Sequence, residues 1–406
     1  MIRGESFTAP VERLAAGGAG IARSGGLTVF IDLTVPGDVV TGRITGIHKN
    51  WAQAELTGIV EPSPNRVTPR CPWYGRCGGC SLQQVAYQTQ ITEKAAMIRD
   101  AFTRIGGFSA LPELKIVPSP PFEYRNRVQL HCYRPAGESE TAQLGFMGRN
   151  SGELVPVTDC PVAVPGIRCL LADGFDAKNC GRPVRRFTVY AQGDRVISEV
   201  PSAEGTSAEL PSAGGPRGTV AILGREIRMD AGVFFQSNAV MLEALIPDLL
   251  AATERADGDR AAADIYCGVG TFAAFLQDRF TRLDLIEENT TALGLARENI
   301  RGTDCQFFAQ TDTAWVRSRN GKDAYGFAVT DPPRQGLSPA MRQWLAGDGP
   351  PVLVYISCDP ATLARDSRDL CRGGYRLESL AFYDFYPQTA HIESLAVFLR
   401  DGYGRR

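Results

Sequence analysis

Several stretches of this 406-residue chain carry residues whose types and spacing suit chemistry. The apolar run "VLVYIS" stops at Cys358-Asp359-Pro360. A thiolate is a nucleophile, and the carboxyl end of a strand is where open α/β sheets bind ligands. "VTDPPRQG" puts Asp331, Pro332, Pro333 and Arg334 at the end of another strand candidate. "YPQTAHIESL" puts His391 and Glu393 ahead of a final one. "DIYCGVGTF" places Gly268 and Gly270 between a strand and a helix, where glycine lets the backbone approach a ligand. That loop is neither the dinucleotide G-x-G-x-x-G nor a P-loop. Glu287 ends the next strand candidate, at the place where a carboxylate holds ribose hydroxyls. D-x-x-x-G-x-G with this acid fits S-adenosylmethionine (SAM) better than a nicotinamide cofactor.

A cysteine and a carboxylate at one sheet edge suit chemistry on a pyrimidine. Carbon 5 of uracil is too weak a nucleophile to take a methyl group unaided. Carbon 6 accepts a thiolate, and the resulting enolate places electron density on C5. A base must then remove the C5 proton so that the thiol can leave. Cys358 and Glu393 supply those two roles. The rival chemistry is methylation of a base amino group, where an aromatic residue usually follows D-P-P. Here Arg334 follows, which counts against it. A rival of another class is an RNA-binding or chaperone protein with a vestigial methylase site. The intact Cys358, Glu393 and glycine loop count against that.

"CPWYGRCGGC" supplies Cys71, Cys77 and Cys80, three thiols close enough to wrap one metal centre. A closed site needs a fourth ligand. Cys160, followed by proline, is the leading candidate, with Cys169 and Cys180 as rivals. Zinc and a [4Fe–4S] cluster both take four thiolates.

These groups need elements to carry them. Residues 5–62 read as short strands with glycine turns, the pattern of a small OB-like barrel. "EPSPNRVTPR", 61–70, is a proline-rich boundary, and 85–107 has helical spacing with a Gly-Gly stop. Residues 110–235 are mixed, and 201–218 are a Pro/Gly/Ser/Ala-rich loop. From 262 strand and helix alternate, which predicts a parallel doubly wound sheet, and two late β-like runs are close enough for a hairpin. The domains expected are 1–62, 63–235 and 236–406, with the helix at 85–107 a candidate to pack on the last.

Composition is ordinary for a globular protein, at 44% hydrophobic and 22% charged. No apolar run is long enough to span a bilayer and no secretory signal is visible, so a cytoplasmic protein is expected. Net charge is −2, which does not advertise nucleic acid. Only five of the 43 basic residues are lysine; arginine suits phosphate contact, but GC-rich codons also favour it.

Together D-P-P-R-x-G at 331–336, Y-x-S-C-D at 355–359 and T-x-H-x-E at 389–393, with "VFFQSN" at 233–238, resemble the RNA 5-methyluridine (uracil-5-) methyltransferases. The resemblance covers nearly the whole length and points to the branch with an N-terminal TRAM domain and a [4Fe–4S] cluster. It implies an α/β fold: a Rossmann-like class I SAM methyltransferase domain, an OB-like RNA-binding barrel, and a mixed α+β central domain that carries the cluster and touches RNA. It implies Cys358 as nucleophile and Glu393 as proton acceptor. It implies Cys71, Cys77, Cys80 and Cys160 as cluster ligands. It places SAM contacts on Gln236, Tyr266, Thr271, Glu287, Gln310 and Asp331, with Thr271 where the family often has Asn. The implied partner is RNA, 23S rRNA before the T-loop of transfer RNA, and the implied state is a monomer. The target uridine must leave its stack to reach the thiolate. "FYDFYP" offers aromatic side chains to stack on it, or ordinary core residues.

Overall fold

The computed structural model describes residues 2–133, 141–173, 175–176, 185–193, 195–198, 217–302, 304–318 and 325–402. Most of the 201–218 loop, and Cys180, lie outside the described residues.

Strands β1 (Ser6–Leu14), β2 (Gly20–Ser24), β3 (Leu27–Ile31), β4 (Val39–Ile47) and β5 (Trp51–Glu61) close into a barrel in the order β1-β2-β3-β5-β4. Alternate residues point inward. Val11, Ala22, Val29, Ile31, Val40, Ile44 and Ala52 fill the interior. Register shifts between β4 and β5 supply the curvature that closure needs.

Helix α1 (Tyr87–Ala101) runs into a π-helical turn, Phe102–Gly106, and stops at Gly107 in the left-handed conformation, φ 72°. After β6 (Leu114–Val117) a second sheet follows. It is built from β7 (Arg127–Tyr133), β8 (Thr141–Met147), β9 (Leu154–Pro156), β10 (Phe175–Asp176), β11 (Arg185–Gln192) and β12 (Arg195–Ser198). Helix α2 (Pro165–Asp173) covers it with Ile167, Leu170 and Leu171. The strands β13 (Arg217–Ile222) and β14 (Arg225–Asp230) form a hairpin.

The C-terminal part alternates as its rhythm predicts. It runs α3 (Ala239–Thr253), β15 (Ala262–Ile265), α4 (Ala273–Leu276), β16 (Arg282–Ile286), α5 (Thr290–Asn299), β17 (Asp304–Phe308), α6 (Asp312–Ser318), β18 (Phe327–Thr330), α7 (Pro339–Asp348), β19 (Val352–Ser357), α8 (Pro360–Arg372), β20 (Tyr375–Tyr383) and β21 (Glu393–Arg400). The sheet order is β17-β16-β15-β18-β19-β21-β20-β6. Strands β15 to β19 are parallel, and β15, β18 and β19 are buried at every position, as a sheet covered on both faces requires. The order reverses between β15 and β18, which opens a crevice beyond their carboxyl ends. Strand β21 then inserts antiparallel between β19 and β20.

The two halves of the chain interlock. Strand β6, in the stretch 63–235, pairs parallel with β20. Ile91, Ala95, Ile98 and Phe102 share a core with Leu363, Ala364 and Phe382. Lys94 of α1 is fully buried and donates to Asp384 Oδ1 at 2.6 Å and to the Tyr386 carbonyl at 3.0 Å. Burial lowers the Lys94 pKa, and the Asp384 charge pulls it back up. Removing one partner of such a pair strands the other charge. Lys94→Met is therefore expected to lose about 3–5 kcal/mol of unfolding free energy in denaturant titration. The double variant Lys94→Met/Asp384→Leu should recover most of it. Equal losses in both variants would contradict this account of the pair.

Candidate active site

One cavity of about 1080 Å³ lies at the crevice where the strand order reverses. Gln236, Tyr266, Thr271, Glu287, Gln310, Asp331, Cys358 and Glu393 all line it. Sequence positions spread from 236 to 393 are thus brought into one space.

The floor is the loop after β15. Tyr266 holds φ 63°, an uncommon conformation for a residue with a Cβ, and the neighbouring Gly268 (φ 54°) and Gly270 (φ 77°) continue the tight turn. At Gly270 an added Cβ would stand 3.0 Å from the Ala296 Cβ of α5, so only glycine lets loop and helix meet. The Glu287 carboxylate, at the end of β16, accepts from the Gly268 and Asn289 amides at 3.1 and 2.8 Å. Tyr266 donates its hydroxyl to Asp312 Oδ2 at 2.6 Å, and Ser338 N donates to the same oxygen at 3.3 Å. Gln236 Nε2 donates to Asp331 Oδ2 at 3.4 Å, while Gln236 Oε1 is buried with no partner among the described residues.

The far wall follows from strand pairing. Ser357 on β19 lies opposite Ser394 on β21. Cys358 therefore leaves the end of one strand where Glu393 begins its antiparallel neighbour. Burial raises the Glu393 pKa well above the ordinary carboxylate value, and the Asp331 charge adds to the rise. Burial lifts Asp331 to about 7 against the Gln236 hydrogen bond. Burial, with Glu393 and Asp331 behind it, pushes the Cys358 thiol up to about 12, and Arg334 pulls in the opposite direction. Arg334 Nη2 lies 3.1 Å from His391 Nδ1, and burial and that cation push His391 down to about 4. His391 is neutral at physiological pH.

Some lining residues were not singled out from the sequence. Asp312 opens α6 just past the carboxyl end of β17, close to Gln310, a region that the edge rule for open sheets points to. Arg125 and Arg127 reach the cavity from outside the βαβ series, and no local pattern announces them, while the 60% exposed Phe234 belongs to the "VFFQSN" stretch already singled out. Of the aromatic residues in "FYDFYP", Phe382, Tyr383 and Phe385 are core, while Tyr386 lines the cavity. Of the two readings of this stretch, ordinary core holds for those three, whose rings are used up in packing.

Cys71, Cys77, Cys80 and Cys160 line a second, smaller cavity of about 110 Å³. The exposed Cys169 does not. Among the described residues no three His, Cys, Asp or Glu side chains form a ready-made metal-holding group. Burial raises all four thiols, Cys80 to about 11 and Cys160 to about 12, with Cys71 and Cys77 also up. Nearby backbone N–H groups oppose this at three of the sulfurs: those of Trp73 and Tyr74 at Cys71, of Val162 and Ala163 at Cys160, and of Gly79 at Cys77, where Gly79 N donates to Sγ at 3.4 Å. Such donors suit thiolates bound to a cationic centre.

The doubly wound sheet with this glycine loop defines a class I SAM-dependent methyltransferase. Residues 322–401 match the family model described as tRNA (uracil-5-)-methyltransferase, and 225–342 match the methyltransferase small domain. An "Uncharacterized RNA methyltransferase" of Treponema denticola is 30% identical over 93% of this chain and 94% of its own length. The 23S rRNA (uracil(1939)-C(5))-methyltransferase RlmD of Alkalilimnicola ehrlichii is 30% identical over 98% of this chain and 97% of its own. The Pyrococcus abyssi tRNA (uracil-54, C5)-methyltransferase, solved with S-adenosyl-L-homocysteine, has the same fold, with TM-score 0.72, 23% identity, 97% of this chain covered and 100% of that one. This chain belongs to the RNA uracil-5-methyltransferase family.

Asp331, Glu287 and Glu393 line part of a cavity that five arginines also line. A sulfonium drawn in beside Asp331 favours its ionised form. SAM binding is expected to release protons near pH 7 and to weaken as pH falls through about 7, where free Asp331 gains its proton. Calorimetry in buffers of different ionisation enthalpy checks this. S-adenosylhomocysteine, with its neutral sulfur, should release fewer protons. Equal release with both ligands would contradict the electrostatic account.

Proposed function

We propose that this enzyme methylates C5 of a uridine in RNA through a covalent adduct at Cys358. The observation that carries the reading is the Ser357–Ser394 pairing, which sets Cys358 beside Glu393 in the cavity of the SAM loop. The Cys358 thiol gives up its proton to solvent, favoured by the Arg334 cation, and its sulfur bonds to C6 of the uracil as the C5–C6 π pair moves into the enolate. The enolate electron pair makes C5 the nucleophile. Bound SAM would supply the methyl group that C5 takes and leave as S-adenosylhomocysteine. Glu393, as carboxylate, removes the C5 proton, the C5–C6 double bond re-forms, and the C6–S electron pair returns to Cys358.

Gln236, Tyr266, Thr271, Glu287, Gln310 and Asp331 are the proposed SAM contacts. Glu287 at the end of β16 suits the ribose hydroxyls. The unpartnered Gln236 Oε1 suits the SAM ammonium. Residues 1–62 are assigned to RNA binding, 63–235 to the cluster and further RNA contact, and 236–406 to methyl transfer. Cys71, Cys77, Cys80 and Cys160 would hold a [4Fe–4S] cluster, which would fix the fold around them. Their shared cavity and N–H donors support this. A large-subunit ribosomal RNA is the proposed partner, supported by full-length relatives of that name. The likeness to the transfer-RNA enzyme carries the fold alone. We assign a monomer acting in the cytoplasm; no helix among the described residues is long and apolar enough to cross a membrane.

The test is 5-fluorouridine-substituted 23S rRNA with SAM. Its C5 fluorine cannot be abstracted, so wild type should form a complex that survives denaturing gels, and Cys358→Ala should form none and transfer no methyl groups. Normal methylation of ordinary RNA without a trap would overturn the mechanism. For the pocket, anaerobically purified protein should contain about four irons per chain with matching sulfide. A predominance of zinc would overturn that assignment.

A further inference from the structure

The turn Tyr386–His391 leads the chain into Glu393, and distant parts of the molecule hold it. Gln388 occupies φ 65°, a left-handed conformation costly for a residue with a Cβ. Its carbonyl accepts from both Ser81 N and Leu82 N at 3.0 Å. Its side chain and amide are matched by Gln90 of α1: Gln90 Nε2 donates to Gln388 Oε1 at 3.0 Å, and Gln388 N donates to Gln90 Oε1 at 2.9 Å. The same Gln90 Nε2 donates to the Leu82 and Val85 carbonyls at 3.0 and 2.8 Å. Two residues on, Ala390 N donates to Ser81 Oγ at 3.0 Å. Tyr124 donates its hydroxyl to the Pro387 carbonyl at 2.8 Å.

Ser81 is the residue after Cys80. Cys80 lines the four-cysteine pocket and also a third cavity, of about 890 Å³, which reaches Cys358, Arg334 and His391. The segment that closes the cysteine pocket is therefore the segment that grips the active-site turn.

We propose that Ser81 and Gln90 are positioning residues for Glu393, and that they tie the state of the four-cysteine pocket to proton removal at C5. The proposal rests on the assignment of Glu393 as the base. Adduct formation needs Cys358 but not this base, so a loosened turn should slow release of the methylated adduct while leaving its formation alone. The strain at Gln388 makes the clamp matter, since that conformation persists only while its surroundings impose it.

The experiment uses the full chain with all four cysteines intact, as Ser81→Ala, Gln90→Leu and Ser81→Thr. Trap formation with 5-fluorouridine-substituted 23S rRNA should stay within about twofold of wild type in all three. With ordinary 23S rRNA, Ser81→Ala and Gln90→Leu should accumulate the covalent methylated complex and turn over about ten- to a hundredfold more slowly, the scale of a misplaced catalytic group. Ser81→Thr, which keeps the hydroxyl, should restore release. Hydrogen exchange of residues 386–393 should quicken in the two slow variants, and in wild type stripped of iron by an anaerobic chelator. Trap formation and turnover falling in the same proportion would overturn the positioning role. Unchanged exchange after iron removal would overturn the link to the cysteine pocket. A wild type that forms no trap overturns the reading of the reaction instead, and the exchange data then judge the clamp alone.

Discussion

The structure depends on one pairing: β21 running antiparallel between β19 and β20. An all-parallel sheet presents only the carboxyl ends of its strands to the crevice. An antiparallel insertion brings the start of a strand to that same edge. Cys358 at the end of β19 and Glu393 at the start of β21 meet because Ser357 pairs with Ser394. A register slip of one residue would turn Glu393 to the other face of the sheet. Ile356 opposite Leu395 and Val354 opposite Val397, all buried, hold the register.

The second constraint is electrostatic. Asp331, Glu393 and Cys358 are buried together, and burial pushes all three toward their neutral forms. The free site is therefore poorly ionised. The Arg334 guanidinium favours the ionised form of Cys358, and a cation in the cavity would favour the ionised carboxylates.

Much of this was legible in the sequence because it is local. The glycine loop, Asp331-Pro332-Pro333 and Cys358 each follow a short apolar strand, and a βαβ series places such ends at one edge. The barrel at 5–62 was legible from its short strands and glycine turns. That "FYDFYP" could supply ordinary core residues was legible; the inclusion of β6 in the C-terminal sheet was not, since Leu114–Val117 pair with Leu380–Tyr383 across more than two hundred residues. The same holds for Gln90 and Ser81, which look like ordinary polar residues until Gln388 is placed against them. Cys160 joins Cys71, Cys77 and Cys80 only through the fold of the central sheet; spacing alone left Cys169 and Cys180 open.

The most direct test of the central claim is the mass of the Cys358 peptide from Glu393→Gln after incubation with SAM and ordinary 23S rRNA. If Cys358 adds to C6 and Glu393 alone removes the C5 proton, the nuclease- and protease-digested peptide carries a methylated uridine nucleotide that wild type does not retain. A Glu393→Gln enzyme that releases 5-methyluridine at the wild-type rate, with Cys358 unmodified, would contradict the account.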